Sequence, residues 1–246
     1  QTKAYEIPAA SRTSKGRAIH NFLELPTDEQ VSAIIGYKTA AKAKESNLVM
    51  VTRNGLIKKT SLKDFENIRR TGIIAISLKK GDALQGVKLS DGKDEVIITT
   101  EKGQSIRFRE AQVRSMGRSA AGVTAIRLRS DHVAGFDIIR GEKDKKTDAN
   151  LLVVMANGFG KQTPLKEYKV QNRGGSGIRT ANVTPKTGNL ITAQVIDGQA
   201  EILAISAKGQ IIRTELKSVR RTGRSAQGVR IMNLKGGDRL AGVVVI

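Results

Sequence analysis

The side chains best placed to do chemistry in this chain are its cations, and the chemistry open to them is the pairing of phosphate oxygens. Four residues ahead of a repeated glycine stand Arg12, Arg118, Arg173 and Arg224, with Arg69 and Arg70 close by in a shorter copy of the pattern. A second set follows another repeated glycine: Lys58 and Lys59, Arg107 and Arg109, Lys161, and Arg213. Lys15, Arg17, Arg114, Lys166, Arg179, Arg220 and Arg221 add to it. One lysine or arginine alone signals only a solvated surface. Recurrence at a fixed place in a repeat turns separate charges into a belt, and duplex DNA offers such a belt a phosphate charge about every 1.7 Å of axis. Phosphate contacts position a duplex without reading its bases, so binding is expected to be salt-dependent and nearly indifferent to sequence.

Other chemistries have few residues to work with. His20 and His132 are the only histidines, and no further metal-ligand types cluster around them in sequence. With no cysteine, disulfides, thiolate metal sites and cysteine nucleophiles are excluded, which suits a reducing cytoplasm. Gly158-Phe159-Gly160-Lys161-Gln162-Thr163 resembles a phosphate loop faintly, but the spacing is wrong and no helix follows. No catalytic residue, metal or cofactor is therefore expected. The excess of 43 Lys and Arg over 23 Asp and Glu gives a net charge of +20, and a polyanion is its natural counter-surface. A membrane is disfavoured, because no stretch approaches the roughly 18 apolar residues of a spanning helix. Aromatics at 3% and the absence of Trp argue against stacking platforms for single strands. The N-terminus has no apolar segment of signal-peptide type, and the chain reads as a piece of a longer protein.

The positions of these cations are set by a repeat of about fifty residues. Leu48 to Gly55, Val96 to Gly103, Leu151 to Gly158 and Ile202 to Gly209 each carry an apolar run, a polar pair and a glycine, the glycines lying 48, 55 and 51 residues apart. A second glycine follows at 17, 19, 19 and 19 residues: Gly72, Gly122, Gly177 and Gly228. Gly16 lies 56 residues before Gly72 and marks a partial first unit. The units run over 1–36, 46–89, 94–140, 149–197 and 200–246, with 39–46 and 141–148 as insertions between them. Arg53-Asn54-Gly55 and Ala156-Asn157-Gly158 predict hairpins with positive φ at both Asn and Gly. A third strand is expected after the second glycine, over Val123 to Leu128, and a fourth after Asp82, Asp131, Asn189 and Asp238. Four strands per unit without helical periodicity predict an all-β, propeller-like fold, a single domain in which neighbouring blades bury one another's faces.

These residues resemble a known family, the C-terminal domain of the bacterial DNA gyrase A subunit. The resemblance rests on Lys3-Ala-Tyr5-Glu6-Ile7-Pro8 with Arg12 to Arg17, on Asn67-Ile68-Arg69-Arg70, on Met116 to Val123 and on Thr222 to Val229. It implies a β-pinwheel of four-stranded blades, six in the full family domain and here about five with a partial first unit. The family's hallmark, the gyrase box, is a heptapeptide of Gln, basic, Arg, Gly, Gly, basic, Gly. Gln171-Asn172-Arg173-Gly174-Gly175-Ser176-Gly177 agrees at five of its seven positions, with Asn172 and Ser176 replacing the basic ones. It reads as a degenerate copy, the primary box lying upstream of Gln1. The resemblance further implies DNA wrapping in support of ATP-dependent negative supercoiling, with the remainder of gyrase A and the gyrase B protein as partners. ATP and Mg belong to that holoenzyme and not to this domain. The isolated domain is expected to be a cytoplasmic, nucleoid-associated monomer. The rivals are the equivalent domain of topoisomerase IV and a propeller whose basic belt binds acidic proteins.

Bending sets the size of the task. Elastic bending of about 40 bp through a half turn costs on the order of 10 kcal/mol. Several blades with two or three charge-assisted contacts of roughly 1.5–3 kcal/mol each offset that, and one blade does not.

Overall fold

The apolar runs over Val96–Ile98 and Leu151–Met155 lie between sheets on both faces. The computed structural model describes residues 4–11, 14–15, 17–18, 21, 29, 31–36, 46–66, 68, 72–140 and 148–246. Arg12, Arg69, Arg70, residues 39–45 and residues 141–147 lie outside these. Among the described residues fifteen strands run in chain order: β1 (Asn47–Thr52), β2 (Leu56–Ser61), β3 (Leu84–Ser90), β4 (Glu95–Thr100), β5 (Gln104–Arg109), β6 (Val123–Thr124), β7 (Val133–Ile139), β8 (Asn150–Met155), β9 (Phe159–Pro164), β10 (Ile178–Arg179), β11 (Leu190–Ile196), β12 (Glu201–Ser206), β13 (Ile211–Glu215), β14 (Val229–Arg230) and β15 (Leu240–Val245). They form antiparallel sheets ordered β3-β1-β2-β6, β7-β4-β5-β10, β11-β8-β9-β14 and β15-β12-β13. Among the described residues there is no α-helix, and none is long and apolar enough to cross a membrane.

The strand period of two explains the unbroken apolar runs. Val96 and Ile98 of β4 join Val49, Val51 and Ile57 in one core, while Ile97 between them faces Leu151, Val153 and Met155 of β8 in the next. Leu152 and Val154 of β8 face Ile202 and Ala204 of β12 in a third. Each such buried side chain contributes about 1.5–3 kcal/mol. The inner strands of the blades, β3, β7, β11 and β15, line a cavity of about 360 Å³, which Ala33 and Ile34 of the first unit also border.

The outermost strand departs from the sequence expectation. Only Val123–Thr124 of the predicted third strand is β structure, and it pairs with β2 of the preceding unit, Leu56 opposite Thr124 and Ile57 opposite Val123. β10 joins β5 and β14 joins β9 in the same way. The ladder stops after two residues because Ala125 and Ile126 turn both their N–H groups onto Gly55 O at the hairpin end. Among the described residues, the sheets of β1, β4 and β8 are thus each closed by a strap from the unit that follows.

The hairpin turns also differ. Gly55, Gly103, Gly158 and Gly209 are left-handed at φ +82° to +83°, but Asn54 and Asn157 are not. The loop has three residues, and in such loops one left-handed glycine suffices to match the strand twist. The acidic residues before the inner strands clamp these turns: Asp82 accepts from Asn54 N, Asp131 from Lys102 N and Asp238 from Lys208 N at 2.9–3.1 Å. In the remaining unit Thr187 O takes that role toward Asn157 N.

Packing makes glycine obligatory where a strap meets its host. A Cβ at Gly122, Gly177 or Gly228 would lie 2.6 Å from Ile57 O, 2.3 Å from Ser105 O or 2.5 Å from Gly160 O, and all three have positive φ. Gly228→Ala is expected to destabilise the domain by about 2–4 kcal/mol through left-handed strain plus overpacking. Urea unfolding checks this, with a midpoint shift at unchanged slope as the expected result.

Candidate nucleic-acid interface

Local structure divides the predicted cations into three groups. The first is interior and corrects the expectation of an outward belt. Lys58, Lys59, Arg107 and Lys161 are all buried, because the strands that carry them lie beneath the strap and the 3-10 turn of the next unit. Lys58 Nζ donates to Ala75 O at 2.6 Å and to Arg118 O. Lys161 Nζ donates to Gly223 O at 2.8 Å and Arg224 O at 2.5 Å. Lys59 pairs with Glu110 at 3.3 Å. Arg107 pairs with Glu95 through Nε at 2.7 Å and donates Nη1 to Leu165 O and Tyr168 O at 2.8 and 3.2 Å. Their charge is spent on fastening blade to blade.

Burial pushes the Lys161 ammonium down to about 8, and it lowers Lys58 as well. The sign follows from proton counting: between pH 8 and 10.5 the unfolded chain binds more protons at Lys161, so folding gains stability as pH rises through that window. A neutral amine keeps two N–H donors for the two carbonyls it serves. Wild-type thermal midpoints, measured against Lys161→Met from pH 7 to 10.5, are expected to rise relative to the variant above pH 8. A flat difference would refute the desolvation cost.

The second group holds the straps. Arg173 donates Nε to Gln112 O at 3.3 Å and Nη1 to Thr124 O, and its backbone N–H meets Gln112 Oε1 at 2.7 Å. Arg224 donates Nη1 to Arg179 O at 3.0 Å, and its backbone N–H meets Glu167. Arg118 is half-buried at the same strap position. Gln171, Asn172, Arg173, Gly174, Gly175, Ser176 and Gly177 form the strap across β5: Gln171 N donates to Arg107 O, Gln112 donates to Asn172, and Gly174 and Gly177 are left-handed. Arg173 and the glycines of this segment therefore serve packing.

The third group is exposed. Lys15, Arg17, Arg109, Arg114, Arg179 and Arg220 lie on the surface. Arg213 and Arg221 do too, each in an ion pair, with Glu201 and Asp148. Surface pairs of this kind contribute little to stability and screen readily. Sequence reasoning missed Lys63, Lys169, Lys217 and Arg230, all exposed. Lys63, Lys166 and Lys217 are the second residues of the 3-10 turns that start at Leu62, Leu165 and Leu216. Arg114, Lys169 and Arg220 each stand 8 residues before the strap glycine, and Arg179 and Arg230 each sit in a donated strand. Those constant distances were the available signal. The exposed cations thus recur at equal places in two or three blades each.

A family model described as the DNA gyrase C-terminal domain, beta-propeller, matches residues 1–35, 46–91, 94–139, 149–197 and 200–246. The chain belongs to this family. The DNA gyrase A protein of Staphylococcus epidermidis is 40% identical over 245 residues, covering 99% of this chain and 27% of the relative. That of Mycolicibacterium smegmatis is 39% identical, with 99% and 28% covered. The chain therefore spans about a quarter of the curated relatives it matches. A solved gyrase A C-terminal domain superposes with a TM-score of 0.85 at 25% identity, covering 99% of this chain and 77% of that one. A topoisomerase IV C-terminal domain shares the fold at a TM-score of 0.84 and 24% identity, over 94% and 70% of the two chains. In this chain the interior cations and strap glycines are framework, which leaves the exposed cations as the candidate interface.

Proposed function

We propose that this domain binds duplex DNA without sequence preference along its outer edge and bends or wraps it, as the non-catalytic C-terminal domain of a gyrase A protein. The observation that carries this is the recurrence of exposed cations at equal places in different blades: Lys63, Lys166 and Lys217; Arg114, Lys169 and Arg220; Arg179 and Arg230. A chain of net charge +20 concentrates phosphate there. The domain works within a larger enzyme, in which the remainder of gyrase A, the gyrase B protein and their ATP and Mg supply catalysis and negative supercoiling. No cofactor is assigned to the domain itself.

The deciding experiment incubates relaxed circular DNA with the chain, reseals it with a nicking-closing enzyme and measures linking number at two salt concentrations. A positive shift that disappears at high salt is expected. Salt-sensitive binding without a shift would remove wrapping from the proposal, and absence of binding would remove DNA.

A further inference from the structure

Two hairpin turns, at Asn54-Gly55 and Asn157-Gly158, carry a chemistry that the fold does not use. Asparagine is a thermolabile residue, and before glycine it is open to attack by its own backbone: no Cβ shields the glycine nitrogen on its way to the asparagine Cγ. Neither asparagine is left-handed, so backbone conformation calls for asparagine in neither turn. Their side chains separate them. In three of the four hairpins the side chain ahead of the turn glycine is tied to the loop that leads into the inner strand. Lys102 Nζ donates to Ser130 O, Lys208 Nζ to Gly236 O at 3.2 Å, and Asn157 Nδ2 to Pro185 O and Lys186 O at 3.0 and 3.2 Å. Asn157 is crowded as well, since a Cβ at Gly188 would lie 3.0 Å from its Oδ1.

Asn54 is the exception. Its backbone N–H donates to Asp82 Oδ1 at 2.9 Å, but its side chain is exposed, and among the described residues no hydrogen bond holds its amide. The nucleophile is restrained alike in both turns: Gly55 N donates to Thr52 O at 3.0 Å and Gly158 N to Met155 O at 3.1 Å. Reaction requires a brief local opening of either turn. At Asn157 the two amide bonds must break in addition, which slows it by about tenfold or more, the factor that two ordinary hydrogen bonds supply.

We propose that Asn54 is a site of spontaneous hydrolytic modification, and that its isoaspartate product unfastens the strap held at this hairpin. Gly55 N forms a bond to Asn54 Cγ, the Cγ–Nδ2 bond breaks, and the amide nitrogen leaves as ammonia with the proton that Gly55 N gives up. Water then opens the cyclic imide. Cleavage of the new bond leaves aspartate; cleavage of the original peptide bond leaves isoaspartate, in which the chain runs through Cγ and gains a methylene. Both products exchange a neutral amide for a carboxylate, and water is the only reagent. The added length falls directly before Gly55, whose O accepts from Ala125 N at 2.8 Å and Ile126 N at 3.4 Å where the β6 ladder ends. That junction has no slack: a Cβ on Gly55 would already lie 2.9 Å from Ile126 O. The modification stands apart from DNA binding.

The test holds the full 246-residue chain folded in mildly alkaline buffer made with heavy-oxygen water, then digests it in acid to stop the reaction. Chromatography and mass spectrometry resolve the peptides that carry Asn54 and Asn157. Asn54 is expected to convert at least tenfold faster than Asn157, with heavy oxygen in its aspartate and isoaspartate products. In denaturing guanidinium the two rates are expected to converge, because both sites are Asn-Gly. Asn54→Lys, which installs the residue type of positions 102 and 208, is expected to remove most of the ammonia released by the folded chain. In the isoaspartate chain, hydrogen exchange is expected to be at least tenfold faster at Ala125 and Ile126 and unchanged at Thr180 and Ile231, the equivalent contacts of the other straps. Asn54→Asp, with the same charge and no added length, is expected to exchange as wild type does. Equal rates at the two asparagines in the folded chain, or strap exchange in the isoaspartate chain no faster than in Asn54→Asp, overturns the proposal.

Discussion

Arg107→Met is expected to lower the unfolding free energy by about 3–5 kcal/mol, the range found when one partner of a buried ion pair is removed. Arg107 and Glu95 are both nearly inaccessible, at 10% and 5% side-chain exposure, so water replaces the lost cation poorly. The substitution also strips two carbonyls, Leu165 O and Tyr168 O, of a donor at the junction of consecutive units. Urea unfolding at pH 7 measures the loss. The double variant with Glu95→Leu is expected to recover much of it, because two apolar residues replace the pair without leaving a charge behind. A loss under about 1 kcal/mol in the single variant would mean that this junction is wet and that its polar fastening is minor.

Charge reversal on the outer edge acts on binding instead. Lys166→Glu, Lys169→Glu, Lys217→Glu and Arg220→Glu combined are expected to weaken binding to a duplex of about 40 bp by a hundredfold or more near 50 mM salt. The slope of log affinity against log salt is expected to fall by about 3 to 4, since each phosphate contact contributes about 0.9. All four residues are exposed, so thermal unfolding is expected to stay unchanged. Lys161→Met is the control: its ammonium is enclosed, so removing it is expected to leave the slope as in wild type. An unchanged slope in the quadruple variant, read by fluorescence anisotropy across salt, would take the DNA path away from this edge.

The contrast between these variants shows where sequence reasoning reaches and where it stops. Turn glycines are legible because left-handed backbone has few other occupants, and Asp82, Asp131 and Asp238 are legible because a carboxylate beside a hairpin end has N–H groups to accept from. β4 and β8 are legible as apolar runs of strand length. Arg107 and Arg109 illustrate the limit. They sit two apart on one strand, yet one is enclosed and the other exposed, because the 3-10 turn that covers Arg107 comes from residues 58 to 61 positions further along. Lys58 and Lys161 look like surface lysines for a related reason: Arg118 O, Gly223 O and Arg224 O, which accept from them, belong to the following unit, and Ala75 O comes from a distant part of Lys58's own. The donated strands escape too, since Val123–Thr124 carries no local sign of its host.

Strap donation separates the unit of sequence from the unit of structure. A segment excised from one repeat boundary to the next takes its own hairpin away together with the strap that closed the blade before it. Loss of a repeat therefore brings together a hairpin and a strap that were never partners, and the junction is expected to hold only if they match as the present ones do: a lysine edge (Lys58, Lys161) with a Ser-Ala strap (Ser119-Ala120, Ser225-Ala226), or an isoleucine and arginine edge (Ile106-Arg107) with a Gly-Gly strap (Gly174-Gly175). Removal of residues 94–148 would leave β2, a lysine edge, to receive the Gly-Gly strap of β10. Removal of two consecutive units from residue 94 would give β2 the Ser-Ala strap of β14, a match. Loss of two repeats is thus expected to leave matched junctions and loss of one to mismatch them, a parity that follows from the alternation of Lys58, Ile106, Lys161 and Ile212.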